Sequence, residues 1–540
     1  MADIWYKEAV IYNLDVRSFY DSNADGIGDF KGLIEKLEYL KELGINCLWL
    51  LPFYPSDHKD AGYDIIDYYS VGSETGTMAD FVEFIEKAKT FGIKILMDLV
   101  VNHTSLEHKW FKEAIKDRNS KYHKYYIWLD EKPENHDQDV IFKNVEDSNW
   151  HYHKEADAYY YHTFYRHQPD LNVANIQVQE EILKIIDFWM KLGITGFRID
   201  AVPHILIDKG NEKFKGDPYQ IIDGWQLAVN EHCQDGILIA EADVEPKDFR
   251  NFLGDGNRIH GLLNFYLNNY IFLALADKDP EPIMRAFEQL PPLMDNEQYL
   301  NFIRNHDELD LERLKPEERE RVYKVFAPDN NMRIYNRGIR RRLAPMLNND
   351  RRIMEMTLSL LFTLPGTPVL RYGDEIGMGD DLGLKERDSV RTSMQWSNSK
   401  NGGFSSASSD KLFWPVISNG EYGYQSVNVA DQMQDHSSLF NSIKSMLDNL
   451  QQLKEFGWGN FEQVHTDHPK ILAHLCRHHD KAVMAVHNFS EEQLMVNLKV
   501  TGFPIDQFKQ LQNAYRYKIK GNDEIEIEMP PYGYTWWRLV

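Results

Sequence analysis

The chain is poor in cysteine, in basic charge and in long apolar runs. Its three cysteines, Cys47, Cys233 and Cys476, are odd in number, far apart and without CxxC spacing. That excludes a disulfide framework and a thiolate metal centre and reads as reduced, mostly buried thiols. Sixty Lys and Arg stand against 84 Asp and Glu, a net charge of −24. Such an acidic excess argues against nucleic acid or an anionic membrane as the main partner. No apolar run reaches the roughly 20 residues of a membrane span. The opening MADIWYKEAVIYNLDV is charged early and strand-like, with no signal-peptide core. A cytoplasmic location is the expectation. Internal repeats, low-complexity tracts and Pro/Ser-rich linkers are also missing.

What is present suits a large, aromatic core. Apolar residues make up 43% and aromatics 13% of 540 residues. That length suggests about three domains, or one large barrel with additions. Aromatic faces stack on sugar rings and carboxylates grip hydroxyls, so this composition suits a carbohydrate-acting protein.

Apolar runs recur along the chain, each ending in a polar residue. Strands are expected at Ala9 to Val16, Ile45 to Pro52, Ile93 to Val101, Gly196 to Asp200, Ile237 to Ala242, Leu300 to Arg304 and Thr367 to Tyr372. The run from Ile93 is too continuous for a half-exposed strand and fits a parallel sheet covered on both faces. Helical segments alternate with the strands: Gly32 to Leu43, Thr77 to Phe91 with Thr77 as N-cap, Ile182 to Leu192, and Met354 to Leu364. Strand, loop, helix, strand, with acidic residues at strand C-terminal ends, predicts an α/β (β/α)8 TIM barrel whose site lies on those loops. The rhythm breaks from Thr104 to about Leu171, which reads as an inserted lobe. From about Trp458 short alternating strands predict an all-β domain. The expected division is 1–104 and 172–455 for the barrel, 105–171 for the insert and 456–540 for the C-terminal domain.

The chemistry gathers at strand ends. Arg198 and Asp200, two apart at the end of a strand, point to the same side, and the cation is expected to hold the carboxylate ionised. Glu241 follows Ile237-Leu238-Ile239-Ala240, an apolar setting that raises a carboxyl's pKa and suits it to protonate a leaving oxygen. Asp307 ends a third strand and would grip sugar hydroxyls in a distorted, cation-like state. Two carboxylates about 5–5.5 Å apart suit a retaining glycosidase. His103 and His306, each beside an Asn at a strand end, are donors to sugar hydroxyls. Separately, Asp21-x-Asn23-x-Asp25-Gly26-x-x-Asp29 spaces oxygen donors as an EF-hand loop begins, and predicts Ca²⁺ or Mg²⁺. Its twelfth position is Gly32, so the bidentate Glu is missing. The alternative is an acidic turn capping the next helix.

DLVVNH (98–103), GFRID (196–200), IAEA (239–242) and RNHDE (304–308) resemble the four signature regions of the α-amylase superfamily of glycoside hydrolases, family 13. QPDLN (168–172) is similar to the region that marks its α-glucosidase and trehalose-synthase branch. YDSNADGIGDFKGL, LWLLPFYPS, GIRRRLAPMLNNDRR, LPGTPVLRYGDEIGMGD, VRTSMQW and PPYGYTWWRL extend the likeness over nearly the whole chain. The resemblance implies a catalytic barrel, a B domain after the third strand and a C-terminal β-sandwich. It implies Asp200 as nucleophile, Glu241 as acid/base and Asp307 as transition-state stabiliser. It implies a glucose subsite of Tyr63, Asp64, His103, Arg198 and His306, completed by Arg387 or Arg391, between which it does not choose. Asn102 and Asp170 match Ca²⁺ positions of many members, and the Asp21 loop matches a second metal site; no organic cofactor is implied.

Trehalose synthases turn maltose into trehalose in a closed pocket that retains the freed glucose. Glu308 and Glu312 match acidic residues that would hold that glucose. The chain departs from the group at His204, where Tyr is expected, at Asp243, where Asn is expected, and over Ile205 to Trp225 and Arg258 to Asn268. The implied substrate is a small α-glucoside such as maltose or trehalose. The alternative is an α-glucosidase or intermolecular transglucosylase on the same sugars. A barrel kept only for binding would have lost one of the three carboxylates, and an open-cleft endo-amylase would lack QPDLN. Assembly into homo-oligomers is left open.

Overall fold

The computed structural model describes residues 4–209, 213–500, 508–521 and 523–539. Eight parallel strands close a barrel: β1 (Ile11–Leu14), β2 (Cys47–Leu50), β3 (Lys94–Leu99), β4 (Gly196–Ile199), β5 (Ile237–Ala240), β6 (Gly261–Leu263), β7 (Gln298–Phe302) and β8 (Thr367–Arg371). Each pairs with its neighbour in sequence, and β8 closes on β1. Seven of the eight coincide with expected strands. β6 was not expected, because Gly-Leu-Leu has neither the length nor the β-branched content that marks a strand.

Period-two alternation fills the barrel. Trp49, Leu96, Ile237, Ile239, Leu300 and Val369 point inward and form one apolar cluster. Their neighbours Leu48, Ile95, Leu238 and Ala240 point outward into the shell beneath the helices. Both faces are therefore buried, which is why these strands read as continuous apolar runs. At Gly196 a Cβ would lie 2.0 Å from the Ile237 carbonyl oxygen, so only glycine lets β4 approach β5 there. Counting upward by twos from the apolar layer gives Asp98 on β3, Arg198 and Asp200 at the end of β4, and Glu241 at the end of β5. The alternation that fills the core thus delivers charged groups to its C-terminal mouth.

The helix Met78–Thr90 opens on Thr77 with a capping box completed by Asp80, as expected. The helix expected over Gly32 to Leu43 is two, Phe30–Glu35 and Leu37–Leu43, parted at Lys36, which leaves the helical region at φ −103°, ψ 2°. The inserted lobe carries a three-stranded sheet, Trp128–Leu129, Ala158–Tyr161 and Trp150–His153. A backbone bridge between His103 and Asp170 ties it to the barrel mouth. C-terminal to the barrel, a five-stranded and a four-stranded antiparallel sheet stack. Met484, Val486 and Trp537 face the sandwich core, while Val483, Ala485 and Trp536 face the barrel's shell. No helix among the described residues is long and apolar enough to cross a membrane.

Candidate active site

Asp200, Glu241 and Asp307 line one cavity of about 330 Å³ at the barrel mouth. Arg198 organises its floor. Its Nη1 lies 2.8 Å from Asp200 Oδ1 and 3.3 Å from Asp98 Oδ1, and its Nη2 lies 2.7 Å from Glu241 Oε1. One guanidinium thus spans both carboxyls that would do the chemistry. The turn after β4 helps. Ala201 sits in the left-handed region at φ 47°, and its N–H donates to Glu241 Oε2 at 2.9 Å. A non-glycine residue held there is strained, and such strain concentrates at functional sites.

Burial dominates the electrostatics. It pushes Asp200 up to about 6, although Arg198 opposes the shift. Arg198 favours the ionised form, as expected, but desolvation outweighs it, so the carboxyl ionises only above about 6. Burial also pushes Glu241 up to about 7, again against Arg198, as its apolar strand foretold. For Asp307 the balance falls the other way. Burial raises it, but the hydrogen bond from His306 and the guanidiniums of Arg387 and Arg391 outweigh burial and hold it well below the usual carboxylate range. The three carboxyls therefore differ in protonation tendency, which is how acid and base roles separate.

A hydrogen-bonded chain fixes the rest of the inner wall. Tyr63 Oη bonds Asp98 Oδ2 and His306 Nε2, both at 2.6 Å. Its ring stacks on the His306 imidazole at 5.6 Å. His306 Nε2 lies 3.0 Å from Asp307 Oδ2. His103 turns its Nε2 to the Tyr63 carbonyl at 3.1 Å and lines the cavity. Both arginines from the loop after β8 reach Asp307 Oδ1, Arg387 at 2.8 Å and Arg391 at 2.9 Å. Only Arg387 also lines the cavity, and it extends to Asp60 Oδ1 at 2.7 Å.

Asp60 corrects the expectation of Asp64. Ala61 and Gly62 both have positive φ, 47° and 97°, and reverse the chain between the two aspartates. Asp60 consequently faces the cavity, while buried Asp64 accepts from Ser56 Oγ at 2.7 Å and lies outside it. The composition of DAGYD carries no signal for that choice; the turn geometry makes it.

The outer half of the cavity is lined by His204, Asp243, Glu308, Asp310, Glu312 and two arginines. Arg337 pairs with Asp310 at 2.9 Å, Glu308 at 3.4 Å and Glu312 at 3.6 Å. Arg313 pairs with Asp243 at 3.0 Å. Burial, reinforced by Asp310, pushes Asp243 up to about 8. His204 is pushed down to about 4 by burial and stays neutral. Glu308 and Glu312 stand where expected; Asp310, Arg313 and Arg337 were not foreseen. Ile141, Phe142 and Phe164 of the inserted lobe roof the cavity.

The Ca²⁺ expected at Asn102 and Asp170 does not fit. Lys209 Nζ lies 2.6 Å from Asn102 Oδ1 and 2.5 Å from Asp170 Oδ2. This buried ammonium fills the place between the two oxygens, and a dication beside it would meet like charge. At the other expected metal site, Asp21 accepts from the N–H of Asn23, Ala24 and Gly26, and Asp29 caps the helix Phe30–Glu35. Asn23 and Asp25 each accept one backbone N–H, leaving further lone pairs. Oxygen donors at alternate positions round the left-handed Gly26 (φ 100°) fit a hard divalent cation chemically.

The family described as alpha amylase, catalytic domain, matches residues 13–456, and the maltogenic amylase C-terminal domain matches 461–536. A trehalose synthase/amylase of Mycolicibacterium smegmatis is 40% identical over 99% of this chain and 92% of its own length. An oligo-1,6-glucosidase of Heyndrickxia coagulans is 29% identical over 95% of this chain and 96% of its own. An α-amylase crystal structure from H. orenii superposes with a TM-score of 0.78 at 26% identity, over 99% of this chain and 100% of that one. The roofed cavity, with two buried carboxyls bridged by one arginine, sits where that fold carries its site, and the chain belongs to the α-amylase family.

Proposed function

We propose that the protein is a retaining α-glucosyl enzyme of trehalose-synthase type, isomerising maltose to trehalose with some hydrolysis. One observation carries the reading. The cavity is small, about 330 Å³, at the lower end of the roughly 300–1,000 Å³ of ligand pockets. It also has a second, polar half beyond the carboxyls, under an aromatic roof. Such a pocket suits a disaccharide rather than a chain.

The residues supply the steps. Asp200, ionised above about 6, attacks the anomeric carbon from one side. Glu241, half-protonated near 7, gives its proton to the glycosidic oxygen. Asp307, kept ionised by its arginines, grips the glucosyl hydroxyls and favours the cation-like state. The freed glucose stays in the outer half against Glu308, Glu312 and Arg337, and turns over. Its anomeric hydroxyl then attacks the glucosyl ester while Glu241 takes back the proton. Retention and water exclusion decide between trehalose and free glucose. The 40% identity to a trehalose synthase over nearly the whole chain supports this reading over a plain glucosidase.

Two smaller proposals accompany it. The Asp21 loop would take Ca²⁺ or Mg²⁺; chelation should lower the melting temperature of the wild type but not of Asp25→Ala. A cytoplasmic setting suits three free thiols. The main reading is tested by incubating the protein with maltose, and separately with trehalose, and resolving the sugars over time. Interconversion with little glucose is expected; glucose or longer oligosaccharides as main products would overturn it.

A further inference from the structure

Three separate stretches meet on one carboxylate beside the cavity. Tyr165 comes from the inserted lobe, Tyr335 from the hairpin that follows β7, and Glu386 from the loop after β8. Tyr165 Oη donates to Glu386 Oε2 at 2.6 Å and Tyr335 Oη donates to the same oxygen at 2.7 Å; the two phenols lie 3.0 Å apart. The backbone is held unusually there: Tyr335, Asn336 and Glu386 are non-glycine residues at φ 54°, 58° and 40°. Tyr335 and Asn336 take the paired left-handed φ of a tight hairpin turn closed by the Arg337 N–H on the Ile334 carbonyl; Glu386 is the strained member of the knot, and its cost persists only where the surroundings impose it.

The knot has two neighbours that matter. Phe142, a roof residue, packs against Tyr165 at 4.6 Å and Tyr335 at 4.5 Å between ring centroids. Together with Ile334 they form a small apolar cluster separate from the barrel core. Glu386 immediately precedes Arg387, whose guanidinium binds Asp307 and Asp60 and lies 5.1 Å over the Phe142 ring. Roof, hairpin and the arginine on the inner wall are thus joined through one acceptor. None of the three knot residues lines the cavity itself.

We propose that the Tyr165–Glu386–Tyr335 clasp is the specificity determinant that keeps the roof shut during the life of the glucosyl-enzyme. It acts as a positioning device rather than a catalytic one. The proposal rests on the isomerase reading. The ester between Asp200 and the glucosyl carbon can be broken by the anomeric hydroxyl of retained glucose or by water. In both cases the carbon–oxygen bond to Asp200 breaks, a new bond to the incoming oxygen forms, and the proton goes to Glu241. A shut roof favours the first nucleophile, and an open roof lets glucose leave and water enter.

Tyr165→Phe, Tyr335→Phe and the double variant remove the hydroxyls but keep the rings. A hydrogen bond to a charged acceptor is worth roughly tenfold in an equilibrium. The trehalose-to-glucose ratio from maltose should fall at least about fivefold in the double variant. Hydrolysis of an aryl α-glucoside, which leaves no sugar to retain, should stay within about twofold of wild type. The product ratio does not depend on how much enzyme is folded, so a merely structural role would not move it. Glu386→Gln, which keeps an acceptor oxygen but loses the charge, should fall between wild type and the double variant. A wild type that isomerises beside variants with an unchanged ratio would overturn the clasp alone. A wild type that yields only glucose would overturn the isomerase reading and the clasp with it.

Discussion

The inner half of the cavity, around Asp200 and Glu241, stands on the ends of β4 and β5; the outer half, around Glu308, Glu312 and Arg337, stands on loops and a hairpin. In the inner half Asp98, Arg198, Asp200 and Glu241 are placed by strand parity and touch one another, while Asp60, Asp307 and Arg387 join them from loops. Arg198 alone contacts Asp98, Asp200 and Glu241 within 3.3 Å. In the outer half the pairs are mixed: Arg337 meets Asp310 at 2.9 Å and Arg313 meets Asp243 at 3.0 Å, but Arg337 stands 3.4 and 3.6 Å from Glu308 and Glu312, and Glu312 is exposed. The difference separates two tasks. Bond-breaking requires groups held to fractions of an ångström, which a barrel's strand ends provide. Choosing what receives the glucosyl group is left to segments that can be exchanged without disturbing the barrel.

The largest test of that division is Asp200→Asn. Turnover should fall on the order of 10⁴-fold or more, with the melting temperature unchanged or higher because a buried charge is removed. Near-normal activity would break the comparison at its rigid end.

Next in size is Lys209→Met, which leaves Asp170 buried without its cation. Loss of one partner of a buried pair costs about 3–5 kcal/mol, so a clearly lower thermal midpoint is expected. An unchanged midpoint would mean that Lys209 does not hold the inserted lobe to the barrel.

The pH dependence sharpens the inner half further. Activity requires Asp200 ionised and Glu241 protonated. Both are raised chiefly by burial, to about 6 and about 7. kcat/KM should therefore climb as pH passes about 6 and decline above about 7, a bell whose limbs belong to the coupled pair. A plateau extending to pH 9 would show that Glu241 is not the acid.

The smallest effect is expected in the outer half. Asp243, pushed up to about 8 by burial and Asp310 against the pull of Arg313, leans further toward its neutral form than an ordinary carboxyl and so lies closer to an asparagine at neutral pH. Asp243→Asn should change the product ratio by less than about twofold at pH 7 and more at pH 9, where only the wild type gains a charge. A large change at pH 7 would show that the carboxylate itself holds the acceptor.

What could be read from the sequence follows the same line. Asp200 and Glu241 were legible because each ends an apolar run and parity then fixes its direction; Asp307, expected at a strand end, lies instead in the loop five residues beyond Phe302, where His306, Arg387 and Arg391 hold it. β6 was not, since three residues carry no period. Asp60 was missed because two positive-φ residues, not composition, choose it over Asp64. Lys209 was missed because it lies in a loop far along the chain from Asn102 and Asp170, and a cation site filled by lysine leaves no spacing motif. Arg337 and Tyr335 sit at a hairpin tip, where side-chain direction depends on the turn.

The most direct measurement of the central claim, that the pocket retains the glucose it frees, is isomerisation of unlabelled maltose in the presence of excess ¹³C-labelled glucose. Trehalose free of label is the predicted result, since the acceptor never leaves the cavity. Trehalose carrying label in proportion to the glucose added would contradict it and make the outer half an open acceptor site.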